Sequence, residues 1–315
     1  MKPFIFKLFA FSIFSLLFYM VGIVVYSKCF PQPSNISKNL KTTTKGYGYT
    51  ALRLKEADEA SAKDILVLGS SHAYRGYDPR IFKKYGYSIQ NLGTSSQALV
   101  QTEILLKAYL ENIKPRLVIL DIYPVLLNST GLESSLDILA NHKLDSDYVD
   151  ILFKNRSIEV LNASILMKYK ELFEDYEYNQ INYPDDIYVQ GGFVEAVDQK
   201  FKETDSNTGS KSSFDEEQLE AFNRILELVD QNKLKLVLVQ APVEKEKYES
   251  YYNKEVEDFL SDQGVTYLNF NEILDLPNSY FLDSSHLNQK GVEVFNDVLL
   301  DSLKITLKEL KNKTY

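Results

Sequence analysis

Cysteine and histidine are scarce in this sequence. Its 315 residues include one cysteine, Cys29, and three histidines, His72, His142 and His286. A single cysteine excludes an intramolecular disulfide and a metal site built on several cysteines. A histidine-rich metal site is disfavoured for the same reason, and no cofactor is expected. Any catalytic imidazole has to come from one of three positions.

Positively charged residues are also fewer than negatively charged ones. The net charge is −9, and the chain has no run of five or more lysines and arginines. Nucleic-acid-binding faces and polybasic membrane patches are built from such residues. The composition therefore argues against a nucleic-acid partner. Once the N-terminal segment is set aside, enough chain remains for one large domain or two small ones.

Apolar residues, by contrast, dominate the N-terminus. The run from Leu8 to Tyr26 carries no charge and is long enough for one transmembrane helix. The alternative is a cleaved signal peptide. The bulky segment Tyr26-Ser27-Lys28-Cys29 offers neither a small-x-small cleavage site nor a lipoprotein signal. We therefore predict an uncleaved anchor over residues 1–28, a polar tether and lead-in over 29–60, and one catalytic domain over 61–312.

The orientation of this anchor is less strongly encoded. Lys2, Lys7 and the amino group favour an N-terminus on the inner side of the membrane. Four further lysines lie on the other side of the apolar run, at positions 28, 38, 41 and 45. The charge pattern gives only a preference for an exported C-terminal domain.

The rest of the chain alternates between strand and helix patterns. Five short apolar runs predict strands over residues 65–68, 88–92, 117–122, 234–239 and 265–270. Apolar residues at helical spacing predict helices over 96–112, 214–232, 243–263 and 287–311. Alternation of this kind predicts right-handed βαβ units and an α/β fold with a parallel sheet of about five strands.

One interval, residues 125–213, is far longer than a crossover requires. We interpret it as an insertion after the third strand that covers the active-site edge of the sheet. It contains a predicted helix over 147–173, an acidic tyrosine-rich stretch over 174–188, and a polar loop over 202–213. A Gly191-Gly192 pair between them indicates a hairpin turn.

The first predicted strand ends at a candidate nucleophile. The apolar run Ile65–Leu68 is typical of a strand buried on both faces, and Gly69-Ser70-Ser71 follows it. Open α/β sheets place their sites at the carboxyl ends of such strands. Ser71 is therefore the candidate nucleophile, and the alternative is a helix N-cap.

A candidate base lies near the other end of the chain. Asp283 and His286 are three residues apart just before the last helix, a spacing that puts both side chains on one side of a turn. The carboxylate can hold the imidazole Nδ1–H and leave Nε2 to take the serine proton. His72 is predicted to have a packing role, and His142 to lie at the surface.

These segments carry a resemblance to the SGNH (GDSL-like) hydrolase superfamily. Gly69-Ser70-Ser71 resembles its first block, Asn91-Leu92-Gly93 its second, and Asp283-x-x-His286 its last. The resemblance spans roughly residues 60–300. It implies a flavodoxin-like three-layer fold, ester hydrolysis or acyl transfer through Ser71, Asp283 and His286, and an oxyanion hole built from the N–H groups of Ser71 and Gly93.

The sequence departs from this pattern in two places. Ser70 stands where the first block usually has Asp, and Asp121-Ile122-Tyr123-Pro124 lacks the asparagine that the third block supplies to the oxyanion hole. One missing donor typically costs about 10²–10³ in rate. Substitute donors could come from Tyr123, Thr94 or Ser95. Five residues are candidates to line the cleft: Asn91, Thr94, Asp121, Tyr123 and Gln240.

The Gly-Ser-Ser block, the single anchor and the Asp-Ile-Tyr-Pro strand end resemble a membrane-anchored branch of this superfamily. That branch includes the D-alanyl lipoteichoic acid D protein and polysaccharide O-acetylation factors. The resemblance implies an extracytoplasmic esterase or O-acyltransferase that acts on an envelope glycan, with a membrane-bound O-acyltransferase as a possible partner. The alternative is a catalytically degenerate domain that binds glycan or scaffolds an acyltransferase complex.

Overall fold

The structure, a computed structural model, describes residues 2–29, 49–141, 151, 154–155, 157–174, 183–203 and 211–312. Most of the predicted tether, His142 and most of the tyrosine-rich stretch therefore lie outside the described residues. The first described helix is α1 (Lys2–Cys29). It is long and apolar enough to cross a membrane, and almost all of it is exposed.

In the described part of the chain, seven strands form two sheets. They are β1 (Ile65–Leu68), β2 (Ile89–Asn91), β3 (Leu117–Asp121), β4 (Asp186–Val189), β5 (Phe193–Ala196), β6 (Lys235–Gln240) and β7 (Thr266–Asn269). Five of them make one parallel sheet in the order β2-β1-β3-β6-β7. The α/β fold and all five sheet strands predicted from the sequence are confirmed. The strand order reverses between β1 and β3, which is where sheets of this kind place their crevice.

Helices cover both faces of this sheet. On one face lie α2 (Thr50–Asp58), α5 (Leu99–Ile113), α6 (Leu132–Asn141), α7 (Ile158–Phe173), α8 (Glu216–Gln231) and α10 (Lys254–Ser261). On the other lie α3 (Ser71–Gly76), α4 (Pro79–Lys84), α11 (Phe270–Ile273), α12 (Gln289–Ser302) and α13 (Lys304–Asn312). Helix α9 (Lys245–Tyr251) follows β6.

The apolar run of β1 explains how the two layers are joined. Leu66 and Leu68 belong to the core on one face of the sheet, and Ile65 and Val67 to the core on the other. Successive strand residues point to opposite faces, so a strand between two helical layers needs an apolar side chain at every position. All four residues are fully buried.

Two predicted helices are broken in the structure. The predicted helix 243–263 divides into α9 and α10, because the Asn253 side chain accepts a hydrogen bond from the Glu255 N–H and caps a new helix. The predicted helix 287–311 divides at Leu303 into α12 and α13. Five short helices of the described part of the chain, α2, α3, α4, α6 and α11, were not predicted, because few turns leave little periodicity to detect.

The Gly191-Gly192 turn joins β4 and β5 in an antiparallel hairpin, as the sequence predicts. The Asn91 N–H donates to the Gly191 carbonyl oxygen over 2.9 Å, which places the turn beside β2. A bidentate ion pair between Arg75 and Asp186 ties the same hairpin to α3. This part of the insertion therefore packs against the segment that follows Ser71.

Candidate active site

Ser71 is the first residue of α3, directly after the carboxyl end of β1. The cap of that helix is Ser70, whose hydroxyl accepts from the His72 N–H, so Ser71 is not the N-cap. Gly69 precedes them at φ 144°, and a Cβ there would lie 2.5 Å from the Asp121 carbonyl oxygen. Glycine lets the backbone turn sharply against β3 at this point. The turn leaves the Ser71 hydroxyl partly exposed above the sheet.

Asp283 and His286 lie in a short loop between strand-like ends. Phe281 and Leu287 pair across the loop, and the Leu282 N–H donates to the His286 carbonyl oxygen over 2.7 Å. Asn288 then caps α12 by accepting from the Gly291 N–H. The loop is thus fixed at both ends, which restricts where its imidazole can point.

The structure brings the three predicted catalytic side chains together, although Ser71 and His286 are 215 residues apart. The Ser71 Oγ lies 2.8 Å from the His286 Nε2. The His286 Nδ1 lies 3.0 Å from each Asp283 carboxylate oxygen. This is the order nucleophile, base and orienting carboxylate, each at hydrogen-bonding distance from the next.

The Asp283 carboxylate is held in its ionised form. Burial alone would raise its pKa, but the His286 ring and the backbone N–H groups of Ser285 and His286 hydrogen-bond to it and lower the pKa to about 2. A permanent negative charge beside Nδ1 stabilises the positive imidazolium that forms when Nε2 takes a proton. The electrostatics therefore suit a general base at His286.

His72 has the packing role predicted for it, and this packing brings it into the site. Its ring packs edge-on against the His286 ring at a centroid distance of 5.6 Å. On the other side it contacts the Tyr123 ring at 4.2 Å. Burial and the nearby His286 lower the pKa of His72 to about 3. The His72 ring is therefore neutral where it packs beside the His286 imidazole.

Gly93 lies against the first turn of α3, where a Cβ would come within 2.8 Å of the Ser70 carbonyl oxygen. Its N–H donates to the Asn91 side-chain oxygen over 2.9 Å. The Asn91 amide in turn donates to the Ala73 carbonyl oxygen over 2.7 Å. The expected oxyanion donor at Gly93 is therefore engaged by Asn91 in this structure. As the first N–H of α3, the Ser71 N–H has no carbonyl oxygen within the helix to donate to.

Four of the five candidate cleft residues are buried at the carboxyl ends of the strands. Asn91, Thr94, Asp121 and Gln240 are each at most 3% exposed. Thr94 bonds Gln97 and Ser134, and Asp121 accepts from the Tyr77 hydroxyl over 2.7 Å. Asp121 also lines a cavity together with Tyr123. The lining of a cleft by these four residues stays a prediction.

Tyr123 is the fifth candidate, and it is partly exposed. Burial raises the pKa of its hydroxyl to about 12, with a smaller opposing effect from Ser285. Besides the His72 ring, the Tyr123 ring contacts the Tyr251 ring, at a centroid distance of 5.4 Å. Ser95, the remaining substitute donor, is hydrogen-bonded to Glu133 over 2.8 Å. Tyr123 is thus the candidate side chain closest to the His286 loop.

Asp121 sits directly under the nucleophile turn. Burial raises its pKa to about 7, against the smaller opposing effect of the hydrogen bond from Tyr77. Tyr77 is the C-cap of α3, and its ring packs on Phe295 of α12. The Asp121–Tyr77 pair therefore links β3 to the far end of the helix that carries Ser71. Nothing in the local sequence around Tyr77 indicated this contact, because it depends on the packing of α3 on the sheet.

Comparisons with known proteins give only distant similarity. No protein-family model matches the sequence, and no curated protein matches it. Among solved structures, a protein described as an acylhydrolase from Bacteroides fragilis is similar at a TM-score of 0.44 and 11% identity, covering 84% of this chain and 99% of that one. A GDSL-like lipase from Bacteroides thetaiotaomicron is similar at 0.42 and 13% identity, covering 82% and 98%. Similarity at this level assigns no function.

Proposed function

We propose that this protein is a serine acyl esterase or O-acyltransferase that works through an acyl-Ser71 intermediate. The observation that carries the proposal is the contact of 2.8 Å between the Ser71 Oγ and the His286 Nε2, with Asp283 on the opposite side of the ring. A serine hydroxyl is a weak nucleophile unless a positioned base removes its proton. These three side chains supply the nucleophile, the base and the group that orients the base.

The reaction follows from this geometry. The Ser71 Oγ attacks the acyl carbonyl carbon while His286 Nε2 takes the hydroxyl proton, and the carbonyl becomes a tetrahedral oxyanion. As the oxyanion collapses, the bond to the leaving alcohol breaks and His286 returns the proton to that alcohol oxygen. Asp283 stabilises the imidazolium between these two steps. The product of this half-reaction is acyl-Ser71 and a free alcohol.

The acceptor in the second half-reaction decides between hydrolysis and transfer. Water gives a carboxylic acid, whereas a sugar hydroxyl gives a new ester, and His286 acts as base for either. The oxyanion is held by the Ser71 N–H, and by the Gly93 N–H when Asn91 releases it. One engaged donor is expected to cost about 10²–10³ in rate, which favours a slow enzyme acting on a closely held acyl donor.

The location and the substrate class extend this proposal. Helix α1 anchors the catalytic domain to the membrane, because it is long and apolar enough to span it. The substrate is an acylated glycan or glycoconjugate of the cell envelope on the extracytoplasmic side, as the resemblance to the membrane-anchored branch implies. A membrane-bound O-acyltransferase is the partner that would supply an acyl group from the other side of the membrane.

The central test is covalent labelling with a serine-reactive fluorophosphonate. The full-length protein in detergent is expected to label, and Ser71→Ala is expected to lose the label because the attacking oxygen is gone. Ser70→Ala is the matched control: it removes the neighbouring hydroxyl, costs about 1 kcal/mol of helix capping, and should still label. Equal labelling of the wild type and Ser71→Ala would disprove the proposal.

A second candidate function is a degenerate domain that binds glycan or scaffolds an acyltransferase complex. It is favoured by the engaged Gly93 N–H and by the missing third-block asparagine. It predicts that Ser71→Ala keeps full biological function, measured as the acyl content of the envelope in cells that carry the variant. Loss of acylation or deacylation in those cells would favour the catalytic proposal instead.

A further inference from the structure

Helix α1 makes two side-chain hydrogen bonds to α7. The Tyr19 hydroxyl donates to the Asn162 side-chain oxygen over 2.6 Å, and the Lys28 ammonium donates to the Tyr169 hydroxyl over 2.8 Å. Lys28 also pairs with Glu174 at 3.4 Å. Residue numbers rise together along the two helices, so α7 runs in the same direction as the last third of α1.

The exposed face of α7 carries apolar residues along its length, and charged ones, Lys168 and Glu171, in its C-terminal half. Ile158, Leu161 and Leu172 are 45%, 40% and 62% exposed, and Ile165 is partly buried between them. At 100° per residue these four side chains fall within a sector of about 60°. We call them the α7 stripe. The opposite face, with Val160 and Ala163, is buried in the domain core.

The α7 stripe continues the surface of α1. Asn162 and Tyr169 are the two α7 residues that hydrogen-bond to α1. At 100° per residue, both lie next to one edge of the α7 stripe. The stripe is therefore exposed next to the apolar surface of α1, whose side chains are also exposed. Surface apolar residues scattered singly need no explanation, but a contiguous patch of this kind marks a contact surface.

The length of α1 sets the depth of this patch. Its 28 residues extend about 42 Å, whereas the hydrocarbon core of a bilayer is about 30 Å thick and needs about 20 residues. A span over the uncharged run from Leu8 to Tyr26, about 28 Å long, places Tyr19 about 10 Å inside the outer boundary and Lys28 among the headgroups. The N-terminal half of α7, packed beside Tyr19, is then at the level of the acyl chains.

We infer that α7 is a second membrane-contacting element, which inserts the Ile158, Leu161 and Ile165 side chains into the lipid boundary beside α1. This inference rests on the anchor included in the proposed function. Lipid is the occupant because α1 itself brings the stripe to the bilayer and because the stripe carries no charge. Because α7 runs parallel to α1, only its first two turns, about 10 Å long from Ile158 to Ile165, reach this depth. The catalytic domain is thereby held directly on the membrane surface.

The single cysteine makes a direct test possible. Cys29→Ser gives a cysteine-free background, into which one cysteine is introduced at a time and labelled with an environment-sensitive fluorophore. The full-length variants are reconstituted in vesicles of phosphatidylcholine, with or without bromine atoms on the acyl chains as quenchers. The three positions are Phe14→Cys in the anchor, Leu161→Cys in the α7 stripe, and Glu171→Cys on the exposed flank of the same helix.

The expected result is that the labels at positions 14 and 161 lose most of their emission in brominated vesicles while the label at position 171 keeps it. Because the contact is apolar, high salt should not restore the emission at position 161. Loss at position 14 without loss at position 161 would overturn the inference and leave the anchor intact; it would point to a protein partner as the occupant. Retained emission at position 14 would instead refute the anchor, and fluorophosphonate labelling in the same vesicles tests the catalytic proposal separately.

Discussion

The candidate active-site edge of the sheet and the α1–α7 surface differ in how their residues are arranged. At the sheet edge, polar groups from distant parts of the chain are paired with one another, as in the contacts of Ser71, His286 and Asp283. On the α1–α7 surface, apolar groups close together in the chain face away from the protein, as do Leu161 and Leu172. The first region depends on distances between atoms, and the second on exposed area.

Because of this difference, substitutions in the two regions should have effects of different size. A hydrogen-bonded relay fails when one atom is removed, because no neighbour can replace its geometry. A lipid-facing surface loses only the contribution of the area removed, about 25 cal/mol per Å². The predictions that follow should therefore separate the two regions by the size of the effect.

The largest effect is expected from Asp283→Asn. An amide cannot stabilise the imidazolium, and it can favour the wrong tautomer of His286, so the rate of hydrolysis of a p-nitrophenyl ester should fall by about 10³–10⁴. Asp275→Asn is the matched control, because it removes the same charge from an exposed position nearby. A fall of less than tenfold in Asp283→Asn would show that Asp283 does not support the base.

An intermediate effect is expected on the pH dependence of stability, which Asp121 and His72 shift in opposite directions. Asp121 has a pKa of about 7 when folded and about 4 when unfolded, so the unfolded chain releases its proton first and stability falls as the pH rises through that window. His72 has a pKa of about 3 when folded and about 6.5 when unfolded, so the unfolded chain binds a proton first and stability rises with pH up to 6.5.

Two variants separate these contributions. In thermal unfolding of the full-length protein in detergent, Asp121→Asn should leave the His72 dependence, with stability that rises between pH 4.5 and 6.5 by about 1.4 kcal/mol per pH unit at most. His72→Phe should leave the opposite slope. The wild type should lie between the two. Parallel profiles for both variants would contradict the assignment of these buried groups.

The smallest effect is expected from Leu161→Ser on the stability of the catalytic domain in detergent. An exposed side chain without packed protein neighbours usually changes the free energy of unfolding by about 0.5 kcal/mol or less. Leu166→Ala, on the buried side of the same helix, is the comparison and should cost about 2–5 kcal/mol. Comparable losses in the two variants would show that Leu161 packs against protein, and the inference of lipid contact would then fail.

The strands were predictable because their signal is local. Each of the five runs is short, apolar and bounded by polar or turn residues, as Ile65–Leu68 is by Asp64 and Gly69. The hairpin at Gly191-Gly192 was predictable for the same reason. Helix boundaries were less so: an asparagine cap at Asn253 breaks a helix whose apolar spacing continues, because one side-chain hydrogen bond competes with the periodic pattern.

In the candidate site, too, local contacts were predictable from the sequence and contacts that depend on packing were not. The pairing of Asp283 with His286 is local, at three residues. Their convergence with Ser71 was expected because Ser71 follows a strand of a parallel sheet and the pair precedes the last helix. The contact of the His72 ring with His286 and the hydrogen bond of Gly93 with Asn91 were not predicted. Both depend on side-chain directions that are fixed only when α3 packs on the sheet.

The sequence by itself determined the parallel α/β sheet, the apolar N-terminal helix and the residue types of a serine relay, because periodicity, length and short spacing are properties of the local chain. The tertiary structure alone decided that Asn91 occupies the Gly93 N–H, that a neutral His72 packs on the base, and that the α7 stripe lies beside α1. These contacts join residues far apart in the chain. Their geometry is set by how the helices pack, and no local pattern of residues encodes it.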